Sequence, residues 1–444
     1  MTPRLTPQVR LRTALTSALC ILVLAGCSSD DDDSADPTTP PGEDGGPGGD
    51  IGGDTGGGAD ADTLAFVAGS VSVNGEGTGQ IERLSLGEGA GSIVSTGVTE
   101  ATGSDIRVAT DGEDVYQIGR FQIDSLTRYS TEELRDPVWQ YSVNGEEVAS
   151  NPYDVVFASE TKAYVIRYGS PFVWIVDPTA ERLEDFKTGE IDLGAYDTND
   201  GVPNMSDAVL VGDRLFVLMQ RLDETLRFAP TLDGYVAVID TTTDEEIDTG
   251  RGEGGLPGIA LETSNPEGLY HFEAANELHV VGRGNIFENE NVLEEGNGDV
   301  MADPYDGGLE TIDLDTLETG LLFDDGTAED NRGFLADALV VSPDKGYALF
   351  YESFRVTTLR AFNPLSGVVS DDVVAGLEDV DVSTLAVAPD GLVWVGLPDE
   401  TAPGFTVLDP SDDSVALERV ATEFDPLNVV FVTVPAEGDS PDGN

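Results

Sequence analysis

The sequence predicts an all-β fold, a seven-bladed β-propeller whose ring is closed by a C-terminal strand. Three observations carry that prediction. Six apolar strand pairs recur at about 45 to 50 residues, and strand-type content at that period marks one four-stranded blade per repeat. A third strand follows and ends on Asp or Asn, as in Trp174-Ile175-Val176-Asp177, Val238-Ile239-Asp240, Thr311-Ile312-Asp313, Ala361-Phe362-Asn363 and Val407-Leu408-Asp409; Ser85 and Ser130 hold the matching places in two weaker copies. The ends of the repeat region are complementary. Three strands lacking an innermost one open it, and a lone strand closes it.

Taken in order, residues 64–71, 80–86 and 92–98 are the three opening strands. The strand pairs then run 106–118, hinged at Asp111-Gly112, and 155–166, hinged at Ser159-Glu160-Thr161. The next are 208–219 with Gly212-Asp213, 269–281 with Ala274-Ala275-Asn276, 339–351 with Pro343-Asp344, and 385–397 with Pro389-Asp390-Gly391. Gly, Asp and Asn suit such hinges because they reach positive φ or bond their own backbone. Ala163 and Val165 alternate with Tyr164 and Ile166, apolar on both faces, as a strand between two neighbouring blades requires. Asp425 to Val434 is the lone strand, and pairing it with the first would cover two open edges. The propeller is expected over 62–435, followed by a disordered tail at 436–444; six or eight blades are the alternatives.

Residues 1–26 read as a lipoprotein signal peptide. Arg4, Arg10 and Arg12 precede a short apolar stretch, and Leu24-Ala25-Gly26-Cys27 resembles a lipobox with Cys27 as the lipidated residue. The apolar run is too short to span a bilayer. Residues 27–61 are rich in Asp, Gly and Pro with few apolar side chains, which predicts a disordered acidic linker. The expected location is the outer membrane or cell surface, through the lipid anchor, with a periplasm-facing placement as the variant. Cys20 and Cys27 are the only cysteines, so a processed chain has no thiol left for disulfide or thiolate chemistry. With 85 acidic against 22 basic residues, the formal charge is −63, which argues against nucleic acid as a partner. A monomer is expected.

On the strand-turn rhythm and the three-strand opening, the chain resembles the YncE-type, surface-layer-repeat propellers. That superfamily also includes lactonase-like and quinoprotein-like members. A vaguer similarity is to surface propeller lipoproteins that accompany siderophore uptake. The resemblance covers the whole globular part and implies the fold. Propellers host many unrelated activities, so it leaves function open.

The long insertions, 189–205, 220–234, 250–266 and 282–308, fall mostly on the rim where first strands begin and second strands end, and insertions gathered on one face mark a binding face. On that rim first strands begin with Asp105, Asp154, Asp207, Glu267 and Asp337, and second strands end at or near Arg120, Arg167, Arg221, Arg283 and Arg355. Each acid is expected to face its own Arg across the hairpin. Guanidinium groups left over would clamp an anionic ligand by paired hydrogen bonds, with Tyr168 as a stacking neighbour. Asp299, Asp303 and Asp306 are weak candidates for calcium in the longest insertion, whose oxygen density suits that ion without EF-hand spacing. His271 and His279 are placed opposite each other across a hairpin by a three-residue turn.

No Gly-x-Ser-x-Gly elbow or histidine cluster is present, so no nucleophile-base pair is legible and no cofactor is required. The reading is a non-enzymatic, lipid-anchored binding module that captures an anionic small molecule or metal chelate for uptake, with an envelope transporter as the expected partner. An adhesion protein of the envelope is the alternative, and a lactonase-like hydrolase using carboxylates is third.

Overall fold

The computed structural model describes residues 62–434 apart from 74–75, 87–92, 146–148, 224–227, 285–305 and 328–330. Cys27, the signal, the linker and the tail lie outside the described residues, as do Asp299 and Asp303.

Seven antiparallel sheets make the seven blades. Blade 1 holds β1 (Asp62–Val73), β2 (Glu76–Leu86) and β3 (Ile93–Val98); blade 2 holds β4 (Ile106–Thr110), β5 (Asp114–Gly119), β6 (Ser125–Ser130) and β7 (Trp139–Ser142). Blade 3 is β8 (Pro152–Ser159), β9 (Lys162–Arg167), β10 (Phe172–Val176) and β11 (Lys187–Asp192). Blade 4 is β12 (Met205–Val211), β13 (Arg214–Met219), β14 (Tyr235–Asp240) and two short outer pieces, β15 (Glu245–Glu246) and β16 (Ile259–Ala260). In blade 5 come β17 (Pro266–Phe272), β18 (Glu277–Gly282), β19 (Gly308–Asp313) and β20 (Thr319–Asp324). Blade 6 has β21 (Phe334–Ser342), β22 (Lys345–Ser353), β23 (Val356–Phe362) and β24 (Val369–Val373). Blade 7 has β25 (Thr384–Val387), β26 (Val393–Leu397), β27 (Gly404–Asp409) and β28 (Ser414–Ala421). The last strand, β29 (Asp425–Val434), pairs with β1 and supplies the missing innermost strand of blade 1, as the sequence predicts.

Innermost strands β4, β8, β12, β17, β21, β25 and β29 touch their neighbours in a closed circle around the axis. The core is divided between the blades. Seven apolar clusters each join two adjacent blades. β9 shows why its sequence is apolar throughout: Ala163 and Val165 pack toward blade 2, while Tyr164 and Ile166 pack toward blade 4. A ring-bearing side chain recurs at one position of every second strand. Phe66, Tyr116, Tyr164, Phe216, His279, Tyr347 and Trp394 are all buried there. Burying side chains of the apolar members is worth roughly 1.5–3 kcal/mol each.

The Asp or Asn that ends a third strand is a turn device. Asp240 Oδ1 accepts the Thr242 N–H at 2.8 Å, Asp177 Oδ1 accepts that of Thr179 at 2.9 Å, and Asn363 Oδ1 accepts that of Ser366 at 2.9 Å. These side-chain bonds start the connection to the fourth strand. Tyr164 and Lys162 also reach across to the next blade, both meeting Asp244. Tyr347 and Lys345 do the same with Asp413.

Connections from first to second strand are two to five residues long in blades 2 to 7. On the opposite rim β11 leads to β12 through residues 193–204, and β13 and β18 end there before the chain returns in β14 and β19. Residues 247–258 instead lie between β15 and β16, two outer pieces that pair with the same strand, β14. The plain rim is less plain than expected: residues 177–186, between β10 and β11, include a helical turn at Leu183–Phe186.

Candidate functional site at the axial mouth

Register identifies one tier of side chains around the axis. The recurring ring residues pair with Val430, Ala109, Val156, Val209, Tyr270, Leu339 and Ala386 of the innermost strands. Strand side chains repeat every second residue on one face, so the positions two residues earlier form a matching set. That set is Asn428, Arg107, Asp154, Asp207, Gly268, Asp337 and Thr384. Three aspartates and one arginine therefore stand at equivalent places on four strands. In β8, β12 and β21 a register shift immediately precedes the Asp, and such bulges re-aim side chains at sheet edges and barrel rims. Each of these aspartates accepts the N–H of its successor, Val155 at 2.8 Å, Ala208 at 2.9 Å and Ala338 at 2.8 Å.

Their environments differ. Burial and the nearby negative charge of Asp154 push the Asp207 carboxyl up to about 8, against the pull of the Leu269 and Ala208 N–H groups and Arg107. Burial lifts Asp154 to about 6. Asp337 is raised by burial too, although Tyr270 donates to it at 2.8 Å. Glu267 goes the other way: burial opposes its charge, but Arg283, Arg107 and Arg120 outweigh that and hold it below the usual range. All four carboxylates are only half-buried, and each stands near the start of its innermost strand, at the rim end. Arg107 forms no ion pair within 4 Å among the described residues, yet its charge is felt by Asp154, Asp207, Glu267 and Asp337.

The acid-arginine pairs expected from sequence form in two blades. Arg120 Nε is 3.5 Å from Asp105, and Arg283 Nη1 is 2.5 Å from Glu267. The other three do not form. Arg167 is fully buried, donates to the carbonyls of Val143, Asn144 and Phe172 and to Ser170 Oγ, and lies over the Trp174 ring. Arg221, in the left-handed region at φ 57°, donates to the carbonyls of Tyr196 and Asp233. Arg355 pairs with Asp381 at 3.4 Å instead of Asp337. The cause is the bulge: Pro152, not Asp154, sits opposite Arg167, and the acid turns inward. Arg167 and Arg221 thus serve loops, and both are buried.

Asp105 is not the blade-2 equivalent of Asp154; Arg107 is. Asp105 instead lines an open cleft of about 750 Å³ beside Ser104 and Phe121. Tyr168 stacks on Tyr153 at 4.4 Å, and Arg120 covers Tyr153 at 3.7 Å. Sequence reasoning missed Arg107, Tyr153 and Tyr270. The spacing from the ring residue of the second strand, which Tyr116 shares with Tyr164, was the signal that locates Arg107.

His279 pairs with Tyr270, and His271 with Leu278, so the two histidines do not face each other. The turn is one residue longer than expected, spanning 273–276 with Asn276 left-handed. Asp306 is exposed, and its carbonyl accepts the Ser264 N–H at 3.2 Å. Among the described residues no three His, Cys, Asp or Glu side chains are grouped to hold a metal.

Fold and tier together define a seven-bladed β-propeller with a carboxylate-rich axial mouth. No family model and no curated protein matches the chain. Solved structures share its fold. It is similar to a candidate 6-phosphogluconolactonase from Bacteroides uniformis, at 12% identity and a TM-score of 0.55 over 84% of this chain and 99% of that one. A candidate 6-phosphogluconolactonase from Bacteroides fragilis gives 11% identity and a TM-score of 0.56, over 85% and 100%. A protein from Lactobacillus plantarum gives 12% and 0.53, over 84% and 100%. At these identities the likeness concerns architecture.

Proposed function

We propose that the axial mouth is a hydrolytic site for a small lactone. The observation that carries this reading is the pairing of Asp154 and Asp207 on adjacent innermost strands, beside the uncommitted guanidinium of Arg107. Two carboxyls whose environments separate their proton affinities can divide acid and base roles. Asp154, the more readily ionised, takes a proton from water as its oxygen attacks the lactone carbonyl. Arg107 donates to the oxygen on which negative charge develops. Asp207 gives its proton to the ring oxygen as that C–O bond breaks, leaving a hydroxy acid. The names of the structural neighbours favour the same class of substrate.

Capture of a small anion without turnover is the second reading, favoured by Arg107 alone. The lipid anchor at Cys27 and an outer-membrane or cell-surface location belong to the proposal as well, resting on the signal-like residues 1–26; palmitate labelling that fails in a Cys27→Ala chain tests them.

The test of hydrolysis is the rate of lactone opening, corrected for spontaneous reaction, as a function of pH. Removing an acid-base group costs about 10²- to 10⁴-fold. Asp207→Asn is expected to lose activity on that scale without any loss of melting temperature. Unchanged turnover in that variant would rule out the assigned roles.

A further inference from the structure

We propose that the mouth takes an uncharged, polyhydroxylated lactone and rejects its phosphorylated counterpart. This rests on the hydrolytic reading above and adds the charge of the substrate. A phosphate dianion needs several converging cations or free backbone N–H groups. The rim offers few. Arg283 is held by Glu267, Arg120 by Asp105 and the Tyr153 ring, and Arg355 by Asp381. Among the described residues of the rim Arg107 alone is uncommitted, and its charge is felt by Asp154, Asp207 and Asp337. The mouth is therefore net acidic, and the chain as a whole, at −63, lowers the local concentration of anions further. Carboxylates are good acceptors for vicinal hydroxyls, the groups an uncharged sugar lactone presents in place of charge.

The experiment compares kcat/KM for glucono-δ-lactone and 6-phosphogluconolactone with the same preparation, at low salt and at about 1 M NaCl. The expected result is at least ~10-fold preference for the uncharged lactone, narrowing as salt screens the mouth. Asp337→Asn, which removes one negative group, is expected to narrow the preference at low salt. Equal or faster opening of the phosphorylated lactone overturns the inference while leaving the hydrolytic reading standing. A preference that ignores salt also overturns it, since charge would not be the cause. If neither lactone is opened, the hydrolytic reading itself falls and the selectivity with it.

Discussion

Arg283 holds Glu267 at 2.5 Å, and that contact divides the carboxylates of the mouth into two kinds. Glu267 is kept ionised. Asp207, one blade away, has backbone N–H donors at Leu269 and Ala208 but no ion pair among the described residues. The folded chain therefore binds a proton at Asp207 that the unfolded chain has already lost. The linkage sign follows: the folded state carries more protons between the ordinary carboxylate value and about 8, so stability falls as pH rises through that interval.

Asp207→Asn removes this cost. Its melting temperature is expected to exceed the wild-type value by a few degrees at pH 8.5 and by less at pH 5.5, read by differential scanning fluorimetry. A gain that is the same at both values would contradict the proton assignment.

Ring closure has a specific clamp. Asn428 of β29 accepts the Val108 N–H at 3.0 Å and donates to the Val108 carbonyl at 2.8 Å, tying the last strand to blade 2. Asn428→Ala should destabilise by about 1–3 kcal/mol, because both backbone groups lose their partner. Asn428→Asp keeps only the acceptor and should fall between the two in urea unfolding.

Asp413 receives the Tyr347 hydroxyl and the Lys345 ammonium of the preceding blade. Tyr347 is fully buried, so Asp413→Ala strands a hydroxyl and should cost about 1–3 kcal/mol. Lys345→Met, which removes only the partly exposed ion pair, is expected to cost about 1 kcal/mol or less. Equal losses would mean that the phenol contributes nothing.

His279 fills the ring position in blade 5, 1% exposed, with no hydrogen bond to either nitrogen among the described residues. Burial holds its pKa down to about 4. The unfolded chain takes up a proton below about 6.5 and the folded chain does not, so this histidine loses stability as pH falls from 6.5 toward 4. His279→Phe should stabilise by about 1 kcal/mol at pH 7 and by about 1 kcal/mol more at pH 5.5. Chemical denaturation at the two pH values measures both.

Blade count, strand order and closure were legible because they depend on local patterns: paired apolar runs, turn residues such as Gly212-Asp213, and the Asp240-type strand ending that bonds its own backbone. The chemistry of the mouth was less so. Asp154 and Asp207 were found as acids near the rim, but their orientation depends on bulges that leave no clear mark in the sequence. Arg167 looked available for a ligand, whereas the carbonyls that surround it come from 143–144 and 172, brought in by packing. Arg107 was hidden by aligning acid with acid, which placed Asp105 where the arginine belongs. The histidine turn was misread by one residue, enough to put His271 and His279 on opposite faces.

The most direct measurement is infrared difference spectroscopy of wild type against Asp207→Asn at pH 7, read in the carboxylic-acid C=O region. The account predicts a protonated carboxyl band in the wild type that vanishes in the variant and fades as pH rises past about 8. A spectrum showing only ionised carboxylate at pH 7 in the wild type would contradict the protonated Asp207 on which the proposed chemistry depends.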